Sequence, residues 1–442
     1  MEREVFVYVD LRGTPHLVGR LWMRARRDRE SATFEYDQTW LAHPERFSLE
    51  PALTLGPGPF HTPSDQPLFG AIGDSAPDRW GLVLMRRAER RRAERERQTP
   101  RTLRELDYLM MVDDEARMGA LRFALQAEGP FLAQYASRRI PPLIELPRLL
   151  SAAENALNDT DTEEDLRLLL APGSSLGGAR PKASIRDRDG SLAIAKFPSK
   201  GDEINTVLWE ATALTLAAKA GIPVPVWRIE SVPREAHKLA DPVLLLRRFD
   251  RDGVLRLPFL SAMSMLGAKD NEPRSYLEFV DILRRYGAAP KEDMKALWRR
   301  IVFSILISNT DDHLRNHGFL WAGPAGWRLS PAYDLNPVPT DMKPRILSTA
   351  IDLEDGTASL ELALDVASYF ELSSPDARAI ASEVGRAIAT WRNEAGKLGL
   401  SGAAIDRMAS AFEHDDLKSA LAISGNGARS DYGSRLHAVA PL

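Results

Sequence analysis

A chain of 442 residues that sets 58 basic against 62 acidic residues, for a net charge of -4, carries no global field that would draw it to nucleic acid or a membrane. It has no cysteine, which excludes disulfides, thiolate catalysis and Cys-ligated zinc. A hydrophobic content of 44% is ample for a core, while no run of about 18 apolar residues occurs, so a soluble, cytoplasmic protein of two or three domains is expected.

In chain order, residues 5–9 have strand composition, 10–14 read as a turn and 17–21 as the hairpin partner; 34–36 alternate likewise. Residues 51–67 are dense in Pro and Gly and read as irregular. Gly73 to Trp80 reads as a capped helix start, with Ser75 as N-cap and Pro77 in the first turn, and the helix should run through Arg97. Arg and Glu interleave over 86–97, which suits a solvated helix face better than a nucleic-acid patch, because the glutamates supply i to i+4 partners. Residues 103–112 read as helix, 119–125 as strand, 140–143 as a linker, and 146–157 and 163–170 as helices. A small-residue stretch over 172–182 then interrupts the pattern. Residues 183–185 and 192–197 read as strands joined by a turn at 187–190. An amphipathic helix is expected over 205–220, ended by Gly221, then an extended segment at 223–229 and a buried strand over 243–249. From Ser275 onward the pattern is almost wholly helical.

Chemistry concentrates in residues 305–320, where an apolar run breaks into Asp311, Asp312, His313 and Asn316 before apolar residues return at Phe319. Burying such charge without partners costs several kcal/mol, so the cluster should face a cleft, a metal or a substrate. Asp311 and Asn316 stand five apart, the spacing that the protein-kinase catalytic loop uses between its base and its metal-binding amide, and Asp334 follows as a second carboxylate. Upstream, the small residues of 173–182 allow backbone N–H groups close to phosphate, although the Walker pattern is absent and the stretch equally suits an ordinary loop between helix and strand. Lys196 stands in an otherwise apolar strand, flanked by Ala195 and Phe197; it either snorkels or pairs with phosphate. Glu210, fourteen residues on, or Glu203 is its candidate ion-pair partner, the plain alternative for each being a surface charge. Glycine loop, strand lysine, helix glutamate, apolar strand, helices, Asp311 with Asn316, then Asp334 is the order that a two-lobed phosphotransferase requires.

The segments 175–182, 195–198, 247–251, 310–316 and 331–335, with Pro77-Asp78-Arg79 near the start, resemble the HipA-type serine/threonine kinase toxins of bacterial toxin-antitoxin modules, nearly end to end. The resemblance implies an α+β, two-lobed protein-kinase-like fold, β-rich in its N-terminal part with an all-helical C-terminal lobe. Its divisions would be an N-terminal subdomain over 1–135, an N-lobe with the glycine-rich loop over 136–255, and a helical C-lobe over 256–442. It also implies ATP and Mg2+ as cofactors, with Asp311 as catalytic base and Asn316 and Asp334 holding magnesium. Gly177, Gly178, Ala179, Arg180, Pro181 and Lys182 would cover the ATP phosphates, and Lys196, supported by Glu210, would pair with them. Arg247, Arg248 and Phe249 would form the hinge that meets adenine, largely through backbone. His313, Leu314, Arg315 and Tyr333 would complete the nucleotide site, with His313 holding the catalytic loop by a hydrogen bond and Asp312 less critical. Ser175, with Ser174 as neighbour, corresponds to a serine that such kinases autophosphorylate, and its phosphate should switch the enzyme off. Implied partners are a helix-turn-helix antitoxin (HipB-like), operator DNA only through that complex, and a protein substrate for which the family precedent is an aminoacyl-tRNA synthetase; no membrane is implied. A small-molecule kinase and a catalytically silent co-repressor are the competing readings.

Overall fold

The computed structural model describes residues 2–26, 29–132, 140–170, 178, 180–199, 201–233 and 240–423. Its first sheet is antiparallel, in the order β4-β3-β2-β1-β5: β1 is Glu2–Leu11, β2 Thr14–Arg26, β3 Arg29–Tyr36, β4 Pro59–His61 and β5 Leu121–Ala124. Val5, Val7 and Val9 alternate into the core as a one-sided strand requires. The tight β1–β2 turn places both Arg12 and Gly13 at positive φ, the hairpin geometry that matches strand twist, and the Asp10 carboxylate accepts from Gly13 N at 2.9 Å.

The second sheet, in the order β6-β7-β9-β8, joins β6 (Lys182–Arg186), β7 (Leu192–Lys196), β8 (Trp227–Val232) and β9 (Asp241–Arg247). Both faces are covered. Ala183, Ile185, Ala195, Val243 and Leu245 share a core with the helices Arg79–Glu96, Leu146–Leu157 and Glu163–Leu170, whereas Leu244 and Leu246 join the main core with the helix Thr206–Lys219. That helix departs from the amphipathic expectation: from Val207 to Leu214 every residue is buried, because the sheet lies on one side and the C-terminal helices on the other. Trp209 accordingly meets Trp391 and Phe412 at ring distances of 6.2 and 6.1 Å.

Two further expectations shift. The helix after Pro77 starts at Arg79, with Asp78 and not Ser75 as its N-cap: Asp78 Oδ1 accepts from Gly81 N at 2.8 Å, while the Ser75 hydroxyl donates to Ile72 O. The basic run on this helix is not merely solvated, since Glu89 is buried and holds Arg92 and Arg101, and Arg87 pairs with Asp161.

The C-terminal part is dominated by the helices Tyr276–Tyr286, Pro290–Leu306, Ser374–Ile388, Trp391–Lys397 and Asp415–Ala422. It is not all-helical. β12 (Phe259–Ser261), β13 (Gly318–Trp321) and β14 (Trp327–Leu329) form a small antiparallel sheet, preceded by the two-residue pair β10 (Arg251–Asp252) and β11 (Leu255–Arg256), and residues 330–359 are largely irregular. Short apolar runs bounded by Gly, as at Gly318 and Gly326, are hard to separate from buried helix by periodicity alone. Among the described residues no helix is long and apolar enough to cross a membrane.

Candidate active site

β7 sits between β6 and β9, so its last residue, Lys196, lies opposite Lys182 on one side and Leu244 on the other. From there Lys196 Nζ reaches Glu210 Oε1 and Oε2 at 2.6 and 2.8 Å and Asp334 Oδ1 at 2.8 Å. Glu210 is buried on the Thr206–Lys219 helix, whose start is fixed by the Asn205 cap. Glu203 is instead 3.6 Å from Arg407. Burial pulls the Lys196 ammonium down, but Asp334 and Glu210 outweigh it and raise its pKa. Burial acts to raise Asp334, and Lys196 and Lys182 reverse this and hold it well below the usual carboxylate range. For Glu210 burial wins over Lys196, leaving its pKa raised. The ammonium and the Asp334 carboxylate therefore stay charged through neutral pH.

Asp334 has φ +58°, a left-handed conformation that costs a non-glycine residue on the order of 1 kcal/mol. Asn336 holds it there, its Nδ2 donating to Asp334 O at 3.1 Å and lying 3.3 Å from Oδ1, while Asn336 N donates to Asn309 Oδ1 at 3.0 Å.

The Pro290–Leu306 helix ends just before residues 308–317, and Ser308, also left-handed, turns the chain out of it. Asn316 Nδ2 donates to Asp311 O at 2.9 Å, so the pair spaced five apart closes one loop. The Asp311 side chain is 57% exposed, with Lys343 3.7 Å away. Asp312 points the other way and, contrary to the expectation that it matters less, is the anchor of the loop. It is buried, accepts from Tyr276 Oη and from Ser304 Oγ (3.0 Å), lies 2.9 Å from His317 Nε2, and its backbone carbonyl accepts from Thr349 Oγ1 at 2.8 Å. Burial would raise its pKa, yet His317 and these donors hold it down. His313 does not supply the expected bond: among the described residues its buried Nδ1 has no partner, and the imidazole that lies beside the buried carboxylate of the loop is His317. Nothing in the sequence marked Tyr276, Ser304 or Thr349, because partners separated by 8 to 37 positions carry no local signal.

Of the glycine-rich stretch, Ser174, Ser175, Gly177 and Ala179 lie outside the described residues. Gly178 is left-handed at φ +89°, and a Cβ there would come within 3.1 Å of Lys182 Nζ. Lys182 itself is buried with Nζ 3.0 Å from Asp78, Pro181 O accepts from Phe197 N at 3.1 Å, and Arg180 pairs with Asp202 and Thr206. At the end of β9, Arg247 is exposed. Arg248 is buried: its guanidinium bonds Asp250 and the carbonyls of Ala116 and Arg117, and its N–H donates to Leu192 O. The Phe249 ring stacks on Tyr333 at 5.2 Å, and Tyr333 Oη donates to Arg315 O at 2.8 Å. Leu314 is buried and Arg315 pairs with Asp270 at 2.8 Å.

No group of three or more His, Asp and Glu placed to hold a metal occurs among the described residues. The hard oxygen donors that the resemblance names are the Asp334 carboxylate, whose Oδ1 also accepts from Lys196 Nζ, and the Asn316 amide, whose nitrogen donates to Asp311 O. That set fits Mg2+, which binds through one or two carboxylates with phosphate and water completing its shell.

Comparison with known proteins now bears on the geometry. The HipA N-terminal domain family model matches residues 9–124 and the HipA-like C-terminal domain model matches 174–391, together about three quarters of the chain. The chain is 30% identical over 201 residues to a Sinorhizobium fredii protein provisionally named kinase Y4mE, a match covering 39% of this chain and 43% of that protein. It is 23% identical over 215 residues to a Haemophilus influenzae protein provisionally named a kinase, covering 42% and 61%. The matched region thus spans about half the length of these curated relatives. Among solved structures, HipA from a Shewanella oneidensis complex of HipA, HipB and operator DNA superposes with a TM-score of 0.64 at 16% identity, covering 95% of this chain and 96% of that one. A Helicobacter pylori proinflammatory kinase gives a TM-score of 0.42 at 14% identity over 56% of this chain and 92% of its own. With both family models in chain order and the HipA fold matched nearly end to end, the chain belongs to the HipA family.

Proposed function

We propose that this chain is an ATP-dependent serine/threonine protein kinase acting as the toxin of a toxin-antitoxin module. The observation that carries the reading is the convergence of Lys196, Glu210 and Asp334 beside a loop that turns Asp311 outward and folds Asn316 back on it. Phosphoryl transfer is mostly positioning and charge neutralisation, and these residue types suffice for it. In this reading Lys196, held by Glu210, pairs with the phosphates of ATP under the glycine-rich loop of 177–182, next to the 247–249 hinge. Asp311 accepts the proton of the acceptor hydroxyl as its oxygen bonds to the γ-phosphorus and the bond to ADP breaks. Asn316 and Asp334 would hold Mg2+, which supplies charge neutralisation on the phosphates when bound. The exposure of Asp311 favours a macromolecular acceptor over a small molecule, and the assembled lysine–glutamate pair argues against a silent co-repressor.

The rest of the reading follows from the family. A helix-turn-helix antitoxin is the proposed partner, and the presence of HipB and operator DNA in the Shewanella complex supports it. A protein target such as an aminoacyl-tRNA synthetase and inactivating autophosphorylation at Ser175 complete it. The test is phosphate transfer from labelled ATP with purified protein. Asp311→Ala is expected to abolish labelling with MgATP affinity retained, and Asn316→Ala and Asp334→Ala to weaken MgATP binding in a calorimetric titration. Near-normal labelling by Asp311→Ala would overturn the assignment. Mass spectrometry after incubation with MgATP should find phosphate on Ser175 or its neighbour Ser174.

A further inference from the structure

The short segment that opens the Arg79–Glu96 helix touches both sides of the proposed cleft. On the nucleotide side, Asp78 Oδ2 lies 3.0 Å from Lys182 Nζ at the start of β6, and Trp80 N approaches Gly178 O at 3.4 Å. On the other side, Arg79 Nη2 donates to Asp270 Oδ2 at 2.8 Å, and the second oxygen of the same carboxylate accepts from Arg315 Nη1 at 2.8 Å. Arg315 lies inside the loop that runs from Asp311 to Asn316, and its carbonyl receives the Tyr333 hydroxyl next to Asp334. Just upstream, Asp74 accepts from both Ser261 N and Ser261 Oγ at 2.7 Å, anchoring the segment to β12. The Lys182–Asp78 contact is buried, whereas Arg79, Asp270 and Arg315 are partly exposed.

We propose that Asp78 and Arg79 form a strut from the N-terminal segment that sets the spacing between the nucleotide sheet and the 311–316 loop, Arg79 acting through Asp270 on Arg315. This rests on the kinase reading for its consequence in turnover but not for its consequence in loop order. Both residues are positioning residues: neither is asked to touch substrate. Two charged contacts in opposite directions from adjacent residues fix a distance more sharply than either alone, and misplacement of a reacting group by about 1 Å costs on the order of 100-fold in rate. Because the Arg79 arm is exposed, its own share is smaller, at most about fivefold.

Hydrogen exchange is the decisive measurement, with the amides of His313 and Asn316, which donate to Asp311 O and His313 O, as reporters. In the full-length protein Arg79→Ala and Asp270→Ala should each speed exchange over 311–316 by about three- to fivefold and leave β1 to β5 unchanged. Turnover should fall by a similar factor while MgATP affinity stays at the wild-type value, and Arg79→Lys should restore both, since a single N–H donor makes the contact. Wild-type exchange at 311–316 in both alanine variants would overturn the strut. Absence of phosphoryl transfer in the wild-type protein would overturn the kinase reading instead, with the exchange result still deciding the strut.

Discussion

Adjacent carboxylates at 311 and 312 divide two tasks between them, one exposed and one buried with three partners. Removing a buried carboxylate strands its donors, so Asp312→Ala should cost about 3 kcal/mol in urea unfolding. Asp311→Ala, at the surface, should change stability by no more than about 0.5 kcal/mol while phosphoryl transfer is lost. Equal destabilisation by the two would refute the division. A third carboxylate, Glu50, is buried beside Asp74 and caps the turn at residues 70–73, accepting from Ala71 N at 2.6 Å; burial pushes its pKa up to about 7. Between its unfolded value of 4.5 and about 7 the native state binds the extra proton, so Glu50 makes stability fall as pH rises through that window. Glu50→Gln keeps an acceptor for Ala71 and removes the titration. Its stability slope between pH 5 and 7 should be more positive than wild type by up to about 1.4 kcal/mol per pH unit. Parallel pH profiles would show that Glu50 is not protonated in the fold.

At the scale of elements, the helix Thr206–Lys219 carries both the ion-pair partner of Lys196 and the contact between sheet and C-terminal helices. Trp209 is 1% exposed against Trp391 and Phe412, and Trp209→Ala should cost about 4 kcal/mol through transfer and cavity terms. A loss under about 1 kcal/mol in chemical denaturation would mean that the interface is not packed as described. The sequence made this helix legible by its Asn205 cap and its Gly221 stop, but not its all-round burial, since a run rich in Ala, Leu and Trp fits either a one-sided or a two-sided environment. The same contrast runs through the site. The order of Lys196, Glu210, Asp311, Asn316 and Asp334 could be read from spacing and motif resemblance. His317, Tyr276, Asp78 and Arg79 could not be placed, because their partners are fixed only once the chain has folded on itself. The small sheet around β13 was hidden by strands of three or four residues, too short to show a period.

Across the whole molecule, the N-terminal sheet is joined to the end of β9 by buried charge. Asp250 accepts from Arg248 Nε at 2.8 Å, Arg251 Nη1 at 2.6 Å and Gly119 N at 2.7 Å. Arg248 and Arg251 also donate to the Arg117 carbonyl, and Asp114 receives Arg122 and Arg256. Burial disfavours the charged form of Asp250, but Arg248 and Arg251 hold its pKa well below the usual range. With the folded value depressed, its contribution to stability is present above its ordinary pKa of 3.8 and is lost as pH falls through the folded value. Such a network is costly to break and often unremarkable to replace, because a lone buried guanidinium loses its counter-ion while an apolar pair leaves no charge to solvate. Asp250→Ala should therefore destabilise by about 3 to 5 kcal/mol. Adding Arg248→Met should recover part of that loss even though it deletes more native bonds. A double-mutant cycle reads this directly. Losses that simply add would mean that Arg248 and Asp250 do not depend on each other, and residues 247–249 would then owe their position to β9 and its sheet neighbours alone.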